Sequence, residues 1–319
     1  MASEIIDIRH FQASAFAPLL QAESRAWGEE LRWDYEPSMR VISSCLADQR
    51  LSGYALVNDG HIDGYSFFVC EGEKGLIGDL FVVNDSARVE TLRLLDHVLE
   101  TLLATPGVKR VEAQLPHYTT EELEPHFREY GFKAFGRRFM ACRLDGPGSG
   151  FTFEPAPGRF TPSDFAIQNW ERRHDPMAAY LIAHTYRGHV DAIINDQYAS
   201  AAGASRLIDN IFELRGCGEP LPHACLVAIH VSSGRLVALV ALTGVHRSTA
   251  HVPQVAVASD FQSQGLGAAL LGLSFREAHR LGYHDVSLTV TDLNDGALRF
   301  YQRLGFETFR TFGAFVWQK

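Results

Sequence analysis

Apolar and polar positions follow the same layout in two stretches of the chain. In the first, residues 52–70 read as two apolar strands around the turn Asn58-Asp59-Gly60. Residues 80–83 read as a third strand, and residues 87–103 carry helical spacing. In the second stretch, residues 226–244 form the hairpin pattern around Ser232-Ser233-Gly234, residues 254–257 the strand, and residues 261–277 the helical run. An offset of 174 positions relates the two and also carries residues 126–132 onto 300–306, with a slip of one residue near Gly107 and Gly282. One offset held over such a length predicts an internal duplication.

Each copy reads as a helical region, a hairpin, a third strand, a helix, a strand, a short helix and closing strands. In the second copy the third strand is expected at 250–257, its helix at 265–281, the next strand at 285–291, the short helix at 296–304 and the end strands at 306–317. This order predicts an α/β (α+β) fold: two tandem modules, each a mixed, mostly antiparallel sheet flanked by helices. The run Asp145-Gly146-Pro147-Gly148-Ser149-Gly150 reads as a flexible boundary, which sets the expected modules at 1–145 and 151–319.

Composition narrows the function classes. The chain has 319 residues, 46% hydrophobic and 21% charged, which suits two globular domains. No apolar run approaches the roughly 20 residues of a membrane span, and the acidic start lacks the apolar stretch of a signal peptide. The net charge is −9 and no Lys/Arg cluster stands out, so neither nucleic acid nor a membrane is an expected partner. The five cysteines (Cys45, Cys70, Cys142, Cys217 and Cys225) include no C-x-x-C pair, so neither a disulfide framework nor a metal site is expected. That usage suits a cytoplasmic protein.

The sharpest motif runs from Val255-Ala256-Val257 through Gln262-Ser263-Gln264-Gly265-Leu266-Gly267. An apolar strand enters a glycine turn, and the turn opens an amphipathic helix. The first N–H groups of a helix are unpaired and lie at its positive end, where phosphate binds. Glycines there let backbone approach a pyrophosphate closely. A dinucleotide-binding reading would need a third glycine at 270, which is Leu270, and an early place in the chain.

Gln262-x-x-Gly265-x-Gly267 after an apolar strand resembles the acyl-CoA-binding motif of the GNAT superfamily of N-acyltransferases. The segment Asn294-Asp295-Gly296-Ala297, followed by Tyr301 and then Gly305-Phe306, resembles that family's later motif. The match is strong over 222–319 and weak over 151–221, and the duplicated layout resembles tandem GNAT proteins such as mycothiol synthase. The resemblance implies acetyl-CoA as donor and a small-molecule amine as acceptor, in a monomer or homodimer. It implies that the strand Val255–Val257, the turn and Asn294 with Ala297 hold the CoA. Tyr301 would be the general acid. His251 falls where some members carry a catalytic Glu and is the candidate base, with a water chain as the other choice. His189 and Asp191, in a stretch rich in polar rings (His174, Tyr180, His184, Tyr186 and Tyr198), are candidates to contact the acceptor.

At the same offset the first copy has Arg88, Thr91 and Arg93 opposite Gln262, Gly265 and Gly267, Phe127 opposite Tyr301 and Ile77 opposite His251. Its acyl-CoA chemistry is expected to be lost. An acyl-CoA sensor without turnover, or other acyl-CoA chemistry, are the competing readings of the second copy.

Overall fold

The computed structural model describes residues 3–85, 88–145 and 161–319. The boundary run after Asp145 and the position Ala87 lie outside them. The chain forms two compact units: residues 1–137 with 310–319, and residues 138–309. The modules expected at 1–145 and 151–319 were cut along the chain. The units instead interleave, because the chain leaves the first before its closing strand has been supplied.

Unit 1 contains strand β1 (Glu4–Asp7), helices α1 (Ala17–Leu31) and α2 (Glu36–Ala47), and strands β2 (Ser52–Asn58), β3 (His61–Glu71) and β4 (Lys74–Val82). Helix α3 (Val89–Ala104), strand β5 (Arg110–Leu115) and helix α4 (Thr120–Glu129) follow, and then β6 (Lys133–Arg143), which runs on into unit 2. The order is β1-β2-β3-β4-β5, antiparallel except for the parallel pair β4–β5. The last strand of the chain, β13 (Glu307–Gln318), closes this sheet antiparallel to β5, from Gly313 opposite Leu115 to Gln318 opposite Arg110.

Two apolar layers hold unit 1. Leu94, Leu95, Val98, Leu99 and Leu102 of α3 are fully buried against β2, β4 and β5 residues. Each such side chain contributes roughly 2 kcal/mol by leaving water. Phe127 of α4 stacks on Phe315 of β13 at 3.9 Å, so the late strand joins the early core. The other layer, with Phe16, Leu19, Leu20, Ile42 and Leu46, packs under α1 and α2.

Unit 2 begins with residues 138–143 of β6, then β7 (Phe165–Asn169), helices α5 (Asp175–Thr185), α6 (Val190–Ile194) and α7 (Ala201–Phe212), and the two-residue β8 (Glu219–Pro220). Strands β9 (Leu226–His230), β10 (Leu236–Gly244) and β11 (Thr249–Val257) lead into α8 (Leu266–Arg280), β12 (Asp285–Thr291) and α9 (Asp295–Arg303). Here too the sheet is antiparallel through β7-β9-β10-β11, and one parallel pair, β11–β12, follows. The parallel pair spans four residue positions in each unit, which bears out the duplicated layout. Strand β10 is buried along nearly its whole length, which explains its unbroken apolar run.

Candidate functional site

The end of β11, the turn after it and the start of α8 form one piece of local structure. Gly265 is the N-cap of α8 with φ of 93°, a conformation that glycine adopts without Cβ strain. Among the described residues no side-chain cap is seen at this helix start. The turn is pinned from within: Gln262 Nε2 donates to Val257 O at 2.9 Å, and Gln264 Nε2 donates to Asp260 O at 2.9 Å. A Cβ on Gly267 would meet Val257 Cγ2 at 3.3 Å, so this glycine sets how closely α8 packs on β11. The result is an open helix N-terminus with a rigid approach, a geometry that accepts phosphate oxygens.

The corresponding helix of unit 1 is closed. Its N-cap is Arg88 with φ of 60°, and the Asp85 carboxylate accepts from Thr91 N–H at 2.6 Å. The helix starts therefore set Arg88 opposite Gly265, where counting along the sequence set Thr91. The connection from β4 to α3 is two residues shorter than that from β11 to α8, so a single offset fails here.

Strand β11 carries a bulge. Ala241 of β10 lies opposite Gln254 and Thr243 lies opposite His251, so two steps on β10 span three on β11. The extra residue falls at Val252–Pro253, and proline, lacking an N–H, suits a place where the ladder is interrupted. The bulge brings His251 and Gln254 to the same face of the sheet, which strict alternation would deny them. His251 is buried, with Nδ1 2.9 Å from Ser287 Oγ on β12.

On that face Tyr198 Oη donates to Gln254 Oε1 at 3.1 Å, and Gln254 Nε2 donates to Tyr186 Oη at 3.4 Å. Tyr186 Oη donates in turn to the backbone oxygen of Val255 at 3.3 Å, and the two tyrosine rings stack at 4.4 Å. Gln254, Tyr186 and Tyr198 were not singled out as site residues. Gln254 has no motif to mark it; the two tyrosines stood in the ring-rich stretch but gave no sign of meeting β11.

His189 caps α6: its Nδ1 accepts from Asp191 N–H at 3.2 Å. Asp191 Oδ1 accepts from Thr291 Oγ1 at 2.5 Å and so ties α6 to the end of β12. Tyr301, the one buried residue of α9, lies within electrostatic reach of Tyr186 and Asp191. Burial, then these two neighbours, push its phenol well above the ordinary tyrosine range. Asn294 is the N-cap of α9, and its Oδ1 accepts from Ala297 N–H at 3.1 Å. Of the expected site residues, the turn residues gather at the start of α8, Tyr301 lies within electrostatic reach of Asp191, and His251 meets Ser287 on the face that it shares with Gln254.

Among the described residues, one further cluster could offer ligand atoms to a metal: Asp145, His279 and His284, whose atoms lie within 4.8 Å of one another. His284 Nδ1 and Asp145 Oδ2 already bond there at 2.6 Å. No helix among the described residues is long and apolar enough to cross a membrane.

Comparison with known proteins agrees with this geometry. Residues 157–306 match the family described as "Acetyltransferase (GNAT) family". An uncharacterized N-acetyltransferase of Methanocaldococcus jannaschii is 39% identical over 61 residues; the match spans 19% of this chain and only 27% of that relative. A tandem GNAT protein from the clavulanic acid biosynthesis pathway superposes with a TM-score of 0.63 at 14% identity, covering 99% of this chain and 98% of its own. A GCN5-related N-acetyltransferase from Sphaerobacter thermophilus gives 0.58 at 16% identity, over 83% of this chain and 80% of its own. Residues 157–306 thus resemble the GNAT acetyltransferase family, and the full length shares its fold with a tandem GNAT protein.

Proposed function

We propose that unit 2 is an N-acetyltransferase that moves acetyl from acetyl-CoA to the amine of a small molecule. The observation that carries this reading is the uncapped N-terminus of α8, opened by Gly265 beside the end of β11. The donor supplies an activated thioester; the chain supplies position, proton transfer and a dry environment.

Backbone N–H groups of Leu266 and Gly267, in the turn that Gln262, Ser263 and Gln264 shape, hold the pyrophosphate. The edge of Val255, Ala256 and Val257 pairs with the pantetheine arm, and Asn294 with Ala297 borders it. An N–H on this strand polarises the thioester oxygen, where charge develops in the transition state. Tyr301 stays protonated because burial and the Asp191 charge oppose its ionisation, so it can give a proton to the leaving sulfur. His251 takes the proton of the acceptor ammonium, directly or through water; Ser287 fixes its ring. Asp191 with His189, and the stacked pair Tyr186 and Tyr198, form the acceptor wall, where a carboxylate and aromatic faces favour a cation. Five free thiols fit a reducing, cytoplasmic setting.

The test is a thermal-shift titration with acetyl-CoA followed by thiol release with a panel of small amines. A saturable rise together with amine-dependent thiol release supports the reading. A rise with no release from any amine favours a sensor, and no rise removes the donor assignment.

A further inference from the structure

Unit 1 contains a cleft of about 450 Å³, set along α1 and the end of β4. Its charged lining consists of Arg25, Arg88 and Arg310 against Glu29 and Glu30, with His117 beside them. Three arginines meet two carboxylates in the lining itself, and a third carboxylate, Glu122, pairs with Arg88 from outside it.

Two of the guanidinium groups are fixed before any ligand arrives. Arg310 Nη2 donates to His117 O at 2.7 Å and pairs with Glu30 at 3.0 Å, while its Nε donates to Pro116 O at 3.3 Å. Arg88 lies over the Tyr118 ring at 4.9 Å and donates to Glu122 at 2.8 Å. Side chains already held in place lose little entropy on binding. His117 is 8% exposed, and its Nε2 is buried with no hydrogen-bond partner among the described residues. Its Nδ1 lies 3.3 Å from Glu30 Oε2. A buried polar atom without a partner costs roughly 1–3 kcal/mol.

The Asp85–Thr91 bond already takes one of the N–H groups at the start of α3 that a pyrophosphate would use. We infer that the unit 1 cleft binds a compact oxyanion, a small carboxylate or a phosphate, between Arg25, Arg88 and Arg310, with His117 as neighbour. This site is independent of the acetyl-CoA reading of unit 2.

The experiment is calorimetric titration of the full chain with citrate and, separately, with inorganic phosphate, each with acetyl-CoA present. One-to-one binding of either probe is expected, and whichever binds identifies the source of the charge. Arg25→Gln and Arg88→Gln should each weaken that binding roughly tenfold, as loss of a charge-assisted contact does, and leave acetyl-CoA affinity unchanged. Arg25 is exposed, so its variant serves even if Arg88→Gln folds poorly. In histidine-resolved NMR the His117 ring signal should move with saturation. No saturable binding of either probe, binding indifferent to both variants, or an unmoved His117 signal overturns the inference.

Discussion

The Asp85 carboxylate accepts a 2.6 Å hydrogen bond from the backbone N–H of Thr91 and thereby fills the N-terminus of α3 with a charge from the chain itself. In unit 2 the same place in the repeat, the N-terminus of α8, shows no side-chain cap among the described residues. One duplicated scaffold therefore carries a capped helix N-terminus and an uncapped one. Acetyl-CoA should bind once per chain, and calorimetry reports the stoichiometry directly; two equivalents would contradict the contrast. Asp85→Ala should lower stability by about 1 kcal/mol, the worth of a helix cap, measured by urea unfolding.

Gly265→Ala should weaken acetyl-CoA binding. At φ of 93° a Cβ is strained by roughly 1–2 kcal/mol, so the turn relaxes and its N–H groups lose their aim. The expected change is about a tenfold rise in the KM for acetyl-CoA with a smaller change in kcat, read from steady-state kinetics.

Tyr301→Phe should leave acetyl-CoA affinity in place and lower kcat roughly a hundredfold, within the usual worth of a positioned acid. The pH dependence has a definite sign. The pKa of Tyr301 is raised, so its neutral form persists beyond the ordinary tyrosine range. The wild-type rate should therefore show no fall from Tyr301 ionisation up to about pH 10. Folding stability linked to this group should begin to drop only above that pH, since the unfolded phenol ionises first.

The sequence made the strands and helices around the turn legible: β11, α8, β12 and α9 lie within a residue or so of their expected bounds, because apolar periodicity and the glycines mark them locally. The bulge at Val252–Pro253 was not legible, and with it the shared face of His251 and Gln254, since a bulge depends on the register with β10. The end strands expected at 306–317 form the single strand β13, whose two ends belong to different units. Nothing local marks that division; it follows from the pairing of Gly313 with Leu115.

Gln254→Leu should raise the KM for the amine and spare acetyl-CoA affinity. The substitution removes the amide that accepts from Tyr198 and donates to Tyr186, while Tyr186 keeps its bond to Val255 O, at a cost of roughly 1 kcal/mol for each lost hydrogen bond. Kinetics with each substrate varied in turn separates the two effects.

Unit 1 should become more stable as pH falls through the mildly acidic range. Glu23 is fully buried, accepts from Tyr65 Oη at 2.7 Å, and lies with Asp79, which accepts from Tyr35 Oη at 2.6 Å. Burial, then the Asp79 charge, push the Glu23 carboxyl well above its ordinary value. The folded state thus keeps a proton that the unfolded chain has released, so stability is greatest below the unfolded pKa of about 4.3 and falls as pH rises toward the folded one. Urea midpoints against pH should show this slope, and Glu23→Gln should flatten it.

The closing of unit 1 by residues 310–319 sets a timetable for the nascent chain. As synthesis proceeds, residues 1–137 leave the ribosome before residues 138–309, yet the strand beside β5 and the Phe315 ring that stacks on Phe127 are translated after them. Until then the β5 edge stands without its neighbour, a state open to mispairing. The two halves of the gene therefore cannot be separated at the glycine-rich boundary without parting β5 from its partner strand.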